Sequence, residues 1–97
     1  MAEPVFHVRI LTEDGVRFEG EAVSVVAPGE LGLLGILAHH APLLTTIVPG
    51  SLTLRTPQQT TTQFTIGGGL LEMFHNQVTV VTDRCATASA ATLHPAR

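Results

Sequence analysis

The sequence has no lysine, and its five basic residues are all arginine. Charged residues amount to 13%, with a formal net charge of −3. Without a basic cluster there is no electrostatic footprint for a phosphate backbone, which argues against nucleic acid as a partner. Cysteine is as scarce. Cys85 stands alone, so no intrachain disulfide framework exists, and a reducing cytoplasm suits the chain. No apolar run approaches the roughly 18 residues of a membrane span. Met1-Ala2-Glu3-Pro4 lacks the basic start and apolar core of a signal peptide. What remains is 44% apolar, too rich for a disordered tail. Ninety-seven residues make one domain with a modest core that needs no metal or disulfide.

The dominant pattern is a period of two. Phe6, Val8 and Ile10 alternate with His7, Arg9 and Leu11, which predicts a half-buried strand. Thr12-Glu13-Asp14-Gly15 supplies turn chemistry, with Gly15 free to take a positive φ. Val16 and Phe18 complete a hairpin. Val23, Val25 and Ala27 form a third strand that Pro28-Gly29 stops. A β-rich run at 43–48 closes at Pro49-Gly50. Leu52 and Leu54, then Thr62, Phe64 and Ile66, then Leu71 and Met73, then Val78 and Val80 each mark a further strand. Seven or more short strands with turns every 8–12 residues predict an all-β sandwich or flattened barrel. No segment before Asp83 shows a period of 3.6. Residues 86–97 read as a frayed, Ala-rich tail beyond a domain spanning 1–85, since twelve residues make a marginal helix alone.

Glu30 to Pro42 breaks the pattern. It is apolar, carries no charge between Leu31 and Ala38, and is interrupted by Gly32, Gly35 and Pro42. Loops are normally polar, so this segment reads as a non-strand loop that either caps the end of the sandwich or docks on a partner. Leu31, Leu33, Leu34, Ile36 and Leu37 divide between core and interface.

The residues that could carry chemistry do not assemble by spacing. His39 and His40 are adjacent, so in extended chain they point to opposite faces. With His7 and His75 they suggest at most a cupin-like metal site, the basis of one alternative reading as a small metal-dependent β-barrel enzyme. Gly67-Gly68-Gly69 lacks the Lys-Ser/Thr of a phosphate loop and reads as a tight corner or bulge. Cys85 has no evident base beside it in sequence and reads as a structural thiol. Glu72 and Asp83 are single carboxylates without an acid–base partner. Glu13-Asp14 and Glu19-Glu21 read as solvated charges. No catalytic, metal or cofactor residue is assigned.

A family resemblance adds to this. Gly35-Ile36-Leu37-Ala38-His39-His40-Ala41-Pro42-Leu43-Leu44-Thr45, followed by Pro49-Gly50, resembles the epsilon subunit of bacterial F-type ATP synthase. Phe6-His7-Val8 with Leu11-Thr12, Phe64 to Glu72 and Asn76 to Asp83 follow in register, so the likeness covers about residues 4–85. Two positions depart from the family pattern: Ala38-His39 stands where Pro-Gly is frequent, and Leu33 where an acidic residue is frequent, with Glu30 upstream.

The resemblance implies a ten-stranded β-sandwich in the central stalk, a non-catalytic rotor part between the gamma subunit and the c-ring beneath the alpha/beta F1 head. It implies gamma contacts at Thr12, His40, Leu43 and Thr45. It implies a c-ring contact loop at Leu31-Gly32-Leu33-Leu34-Gly35-Ile36-Leu37-Ala38-His39. Relatives continue into a C-terminal helical hairpin that can inhibit hydrolysis and in some binds ATP. This sequence ends at Arg97, and the expectation is a naturally short or trimmed form that does neither. It also implies a peripheral place on the cytoplasmic face of the bacterial inner membrane. A stand-alone β-sandwich adaptor is the other alternative.

Overall fold

A computed structural model describes residues 3–90. It contains ten strands and, among the described residues, no helix. They are β1 (Phe6–Thr12), β2 (Gly15–Ala22), β3 (Ser24–Gly29), β4 (Gly32–Leu37), β5 (Leu43–Ile47), β6 (Gly50–Arg55), β7 (Thr61–Ile66), β8 (Gly69–Phe74), β9 (Gln77–Thr82) and β10 (Cys85–Ala90). The all-β class is as the alternation requires.

One sheet runs β10-β7-β6-β3-β5-β8-β9-β1-β2, with β4 paired to β3. It folds over at β3. That strand pairs β6 through Ser24–Val26 and meets β5 only at Gly29↔Ile47. Pro28 sits where β3 has left β6. Its missing N–H costs no ladder bond there, and its carbonyl accepts from the Val48 N–H at 2.9 Å. Two layers result, β10-β7-β6-β3-β4 and β5-β8-β9-β1-β2. Between them lie Phe6, Val8, Ile10, Val25, Ala27, Leu52, Leu54, Ile66, Leu71, Met73, Val78 and Val80. Each large aliphatic so buried contributes about 1.5–3 kcal/mol. The far sides nearly close. The Phe18 and Phe64 rings meet edge to face at 5.4 Å, and Arg17 Nη2 donates to the Cys85 carbonyl at 3.4 Å.

The first hairpin turns through Glu13-Asp14, with Gly15 at φ 115°. The triple-glycine corner delivers the chain into β8, where a Cβ on Gly69 would collide with the Val81 carbonyl oxygen.

Two expectations need correction. The loop read over Glu30–Pro42 contains a strand at its centre. Gly32–Leu37 forms β4 and pairs along all of β3, from Gly29↔Gly32 to Ser24↔Leu37, and Pro28-Gly29 are the last two residues of β3. The tail read from residue 86 begins instead as β10, antiparallel to β7 from Cys85↔Ile66 to Ala90↔Thr62, with an irregularity between Thr87 and Ser89. The backbone ladder holds it, so Ala and Thr suffice without apolar alternation. Residues 91–97 of the expected tail lie outside the described residues.

Candidate functional site

The β3–β4 hairpin presents the first apolar surface. Its ladder puts Leu33, Gly35 and Leu37 on the outward face and Leu34 and Ile36 on the inward one. Ile36 is core, and Leu34 and Ala38 pack half-buried against it. Leu31, at the hairpin tip, is fully exposed; Leu33 is 79% and Leu37 62% exposed, and Val26 adjoins them. The division left open between core and interface thus follows the pleat. Leu31 and His39 are not two ends of one loop. They sit at opposite ends of β4, roughly 20 Å of strand apart.

The second surface is the outer face of the other layer, and sequence reading did not single it out. Cross-strand pairing aligns Thr46, Leu70, Val81, Leu11 and Val16 in one row across β5, β8, β9, β1 and β2. Leu70, Val81 and Val16 are about half exposed, and Leu44 on β5 is exposed beside them. An open groove of about 430 Å³ lies at the end of the layer beside Leu70 and Val81, lined also by Thr12, Glu13, Gly69 and Asp83. The signal was present in the sequence. Leu70, Val81 and Leu11 are apolar residues at the off-beat positions of their strands, where a solvated face carries polar ones.

The four residues assigned to gamma do not form one cluster. Leu43 and Thr45 are half-buried on the inward side of β5, while Leu44 and Thr46 point out. Thr45 borders the groove under the β3–β4 hairpin, with Leu31 and Leu34. His40 is exposed in the β4–β5 connection, its ring Nδ1 bonded to the Ala41 carbonyl at 2.8 Å. Thr12 ends β1, three strand spacings or about 14 Å from β5. Its hydroxyl accepts from the Asp14 N–H at 3.2 Å and so fixes the first turn.

Several polar groups elsewhere pair with one another, although the buried Arg9 Nε has no hydrogen-bond partner among the described residues and lies 3.8 Å from Glu19. Glu3 and Arg55 form a two-pronged pair at 3.1 and 3.2 Å, which holds the Glu3 carboxyl below its ordinary range and the Arg55 guanidinium above its own. His7 Nε2 meets Glu19 at 2.9 Å. Among the described residues no three His, Cys, Asp or Glu side chains lie close enough to hold a metal ion. Burial pushes the Cys85 thiol up, against the pull of Arg17, which makes it a poor nucleophile at neutral pH.

Fold and surface together define a small β-sandwich domain whose described residues expose apolar area on two sides. Comparison with known proteins gives the family. Residues 5–88 match the beta-sandwich domain of the ATP synthase delta/epsilon chain. The ATP synthase epsilon chain of Stenotrophomonas maltophilia is 48% identical over 79 residues, covering 81% of this chain and 56% of the relative. That of Acidithiobacillus ferridurans is 44% identical over 82 residues, covering 84% and 57%. A chain in the cryo-EM structure of Euglena gracilis mitochondrial ATP synthase, comprising OSCP, F1 and c-ring, has the same fold. It superposes with a TM-score of 0.82 at 18% identity, over 90% of this chain and 56% of that one. A chain from the central stalk and c-ring of the Tetrahymena thermophila mitochondrial enzyme gives 0.72 at 15% identity, over 89% and 69%. The chain belongs to the ATP synthase delta/epsilon family through this domain. It spans a little over half the length of the curated relatives it matches.

Proposed function

We propose that this chain is a non-catalytic subunit of an F-type ATP synthase central stalk, joining the gamma subunit to the c-ring beneath the alpha/beta F1 head. The observation that carries this reading is the pair of apolar surfaces on separate sides of one rigid body. A part that transmits torque between two partners needs two interfaces and little internal give. A sandwich with a close-packed core suits that demand.

Gamma covers the outer face of β5-β8-β9-β1. Thr12 lies at one border of that face and His40 beyond the other, with the Leu11, Leu70 and Val81 row between them; Leu43 and Thr45, on the inward side of β5, meet gamma only along that strand's edge. The c-ring contact belongs to the β3–β4 hairpin, chiefly its Leu31–Leu33 tip, within the Leu31–His39 stretch. Glu72 and Arg9 lie in the row beside Leu70 and Val81, and Glu30 shares the hairpin tip with Leu31, so each partner must pair these charges or leave them hydrated while it covers the apolar residues. Location follows from the partners: peripheral, on the cytoplasmic face of the bacterial inner membrane.

The test is association with purified gamma from the same organism. Wild-type chain should form a one-to-one complex by size exclusion and calorimetry. Replacing Leu70 and Val81 together with Ser should weaken it about tenfold or more. Exchange of the exposed Thr65 on β7, in the opposite layer, for Ser should leave it unchanged. A wild-type chain that ignores gamma would defeat the reading.

A further inference from the structure

Asn76 closes the β8–β9 hairpin. His75 and Asn76 have φ of 51° and 61°, the left-handed pair that a two-residue hairpin turn requires and that Asn tolerates well. A residue chosen only for that backbone would leave its side chain in solvent. This one has both ends engaged. Oδ1 accepts the His39 N–H at 2.7 Å, and Nδ2 donates to the Val5 carbonyl at 2.9 Å. Its own carbonyl accepts the His7 N–H at 3.2 Å. One residue therefore ties the entrance of β1, the β4–β5 connection and the β8–β9 turn.

The connection needs an anchor. His39 has φ 63°, a conformation most side chains avoid. From there the chain is set step by step: the His40 N–H returns to the Leu37 carbonyl at 3.2 Å, and the His40 ring locks on Ala41. We propose that Asn76 is a positioning residue, holding the His39–His40 connection in the shape from which His40 meets gamma. The inference rests on the docking reading above. A loosened connection must be ordered on binding, and that entropy is lost from the affinity.

Asn76→Gly keeps the left-handed turn and removes both side-chain bonds. Amide exchange of the free chain, read by NMR, is expected to quicken at His39 by about tenfold while β7 and β9 amides stay as they were. Affinity for gamma should fall about five- to tenfold at a temperature where the variant is fully folded. In a His40→Ala background the same change should cost little further, since both act through one contact. Asn76→Asp retains the acceptor and should restore His39 protection. Unchanged His39 exchange in Asn76→Gly overturns the clamp. Faster exchange with undiminished gamma affinity, or full additivity with His40→Ala, overturns its link to docking. If wild-type chain fails to bind gamma, the docking reading falls, and His39 exchange still decides the clamp.

Discussion

Cys85 shows what burial does to a single side chain. Its thiol is 8% exposed and is held above its ordinary pKa by desolvation. The fold therefore favours the neutral thiol. The unfolded chain begins to lose that proton near pH 8.5, so it binds fewer protons than the folded one above that point. The contribution is complete below the unfolded pKa and fades as pH rises toward the folded one. Urea titrations should show stability falling above about pH 8.5, and Cys85→Ala should flatten that part of the profile. A profile identical in the variant would show that the thiol does not contribute. The sequence marks Cys85 as solitary, but not as buried. Its neighbours in the core, Phe64 and Ile66, come from a strand some twenty residues earlier, paired to β10 by a ladder that the Ala-rich composition did not announce.

At the level of elements, legibility tracked polarity. Wherever one face of a strand is solvated, as in β1, β6, β7 and β9, alternation located the strand and its inward residues. β4 failed because both its faces are apolar. Gly32-Leu33-Leu34-Gly35-Ile36-Leu37 has no polar beat, and a continuous apolar run does not separate strand from loop or helix. The same cause hid the exposed apolar row, since Leu70 and Val81 occupy beats where a polar residue would have signalled solvent. The structure thus predicts opposite outcomes for neighbouring residues. Ile36→Ala should lower unfolding free energy by about 2–4 kcal/mol, because it leaves a cavity in the core. Leu33→Ser should change it by no more than about 0.5 kcal/mol. Equal losses in urea melts would contradict the assignment of inner and outer faces.

For the molecule as a whole, the seam between the two layers is the weak line. β2 and β10 end the sheet path, and among the described residues they are joined by side chains instead of a ladder. The Phe18–Phe64 edge-to-face contact and the Arg17 bond to the Cys85 carbonyl hold that side together. Phe18→Ala should therefore lower stability by about 2–3 kcal/mol and raise amide exchange in β2 and β10 before it rises in β8 and β9. Uniform exchange across all strands would show that the seam is no weaker than the rest. The pairing of β1 with β9 has a consequence for the chain's birth. His7 lies beside Gln77, and Ile10 beside Val80, in a parallel ladder joining residues about seventy positions apart. Such distant partners make folding slow. A ribosome adding roughly 5–20 residues per second delivers β1 many seconds before its neighbour exists. Phe6, Val8 and Ile10 therefore spend that interval without the parallel neighbour that completes their side of the core.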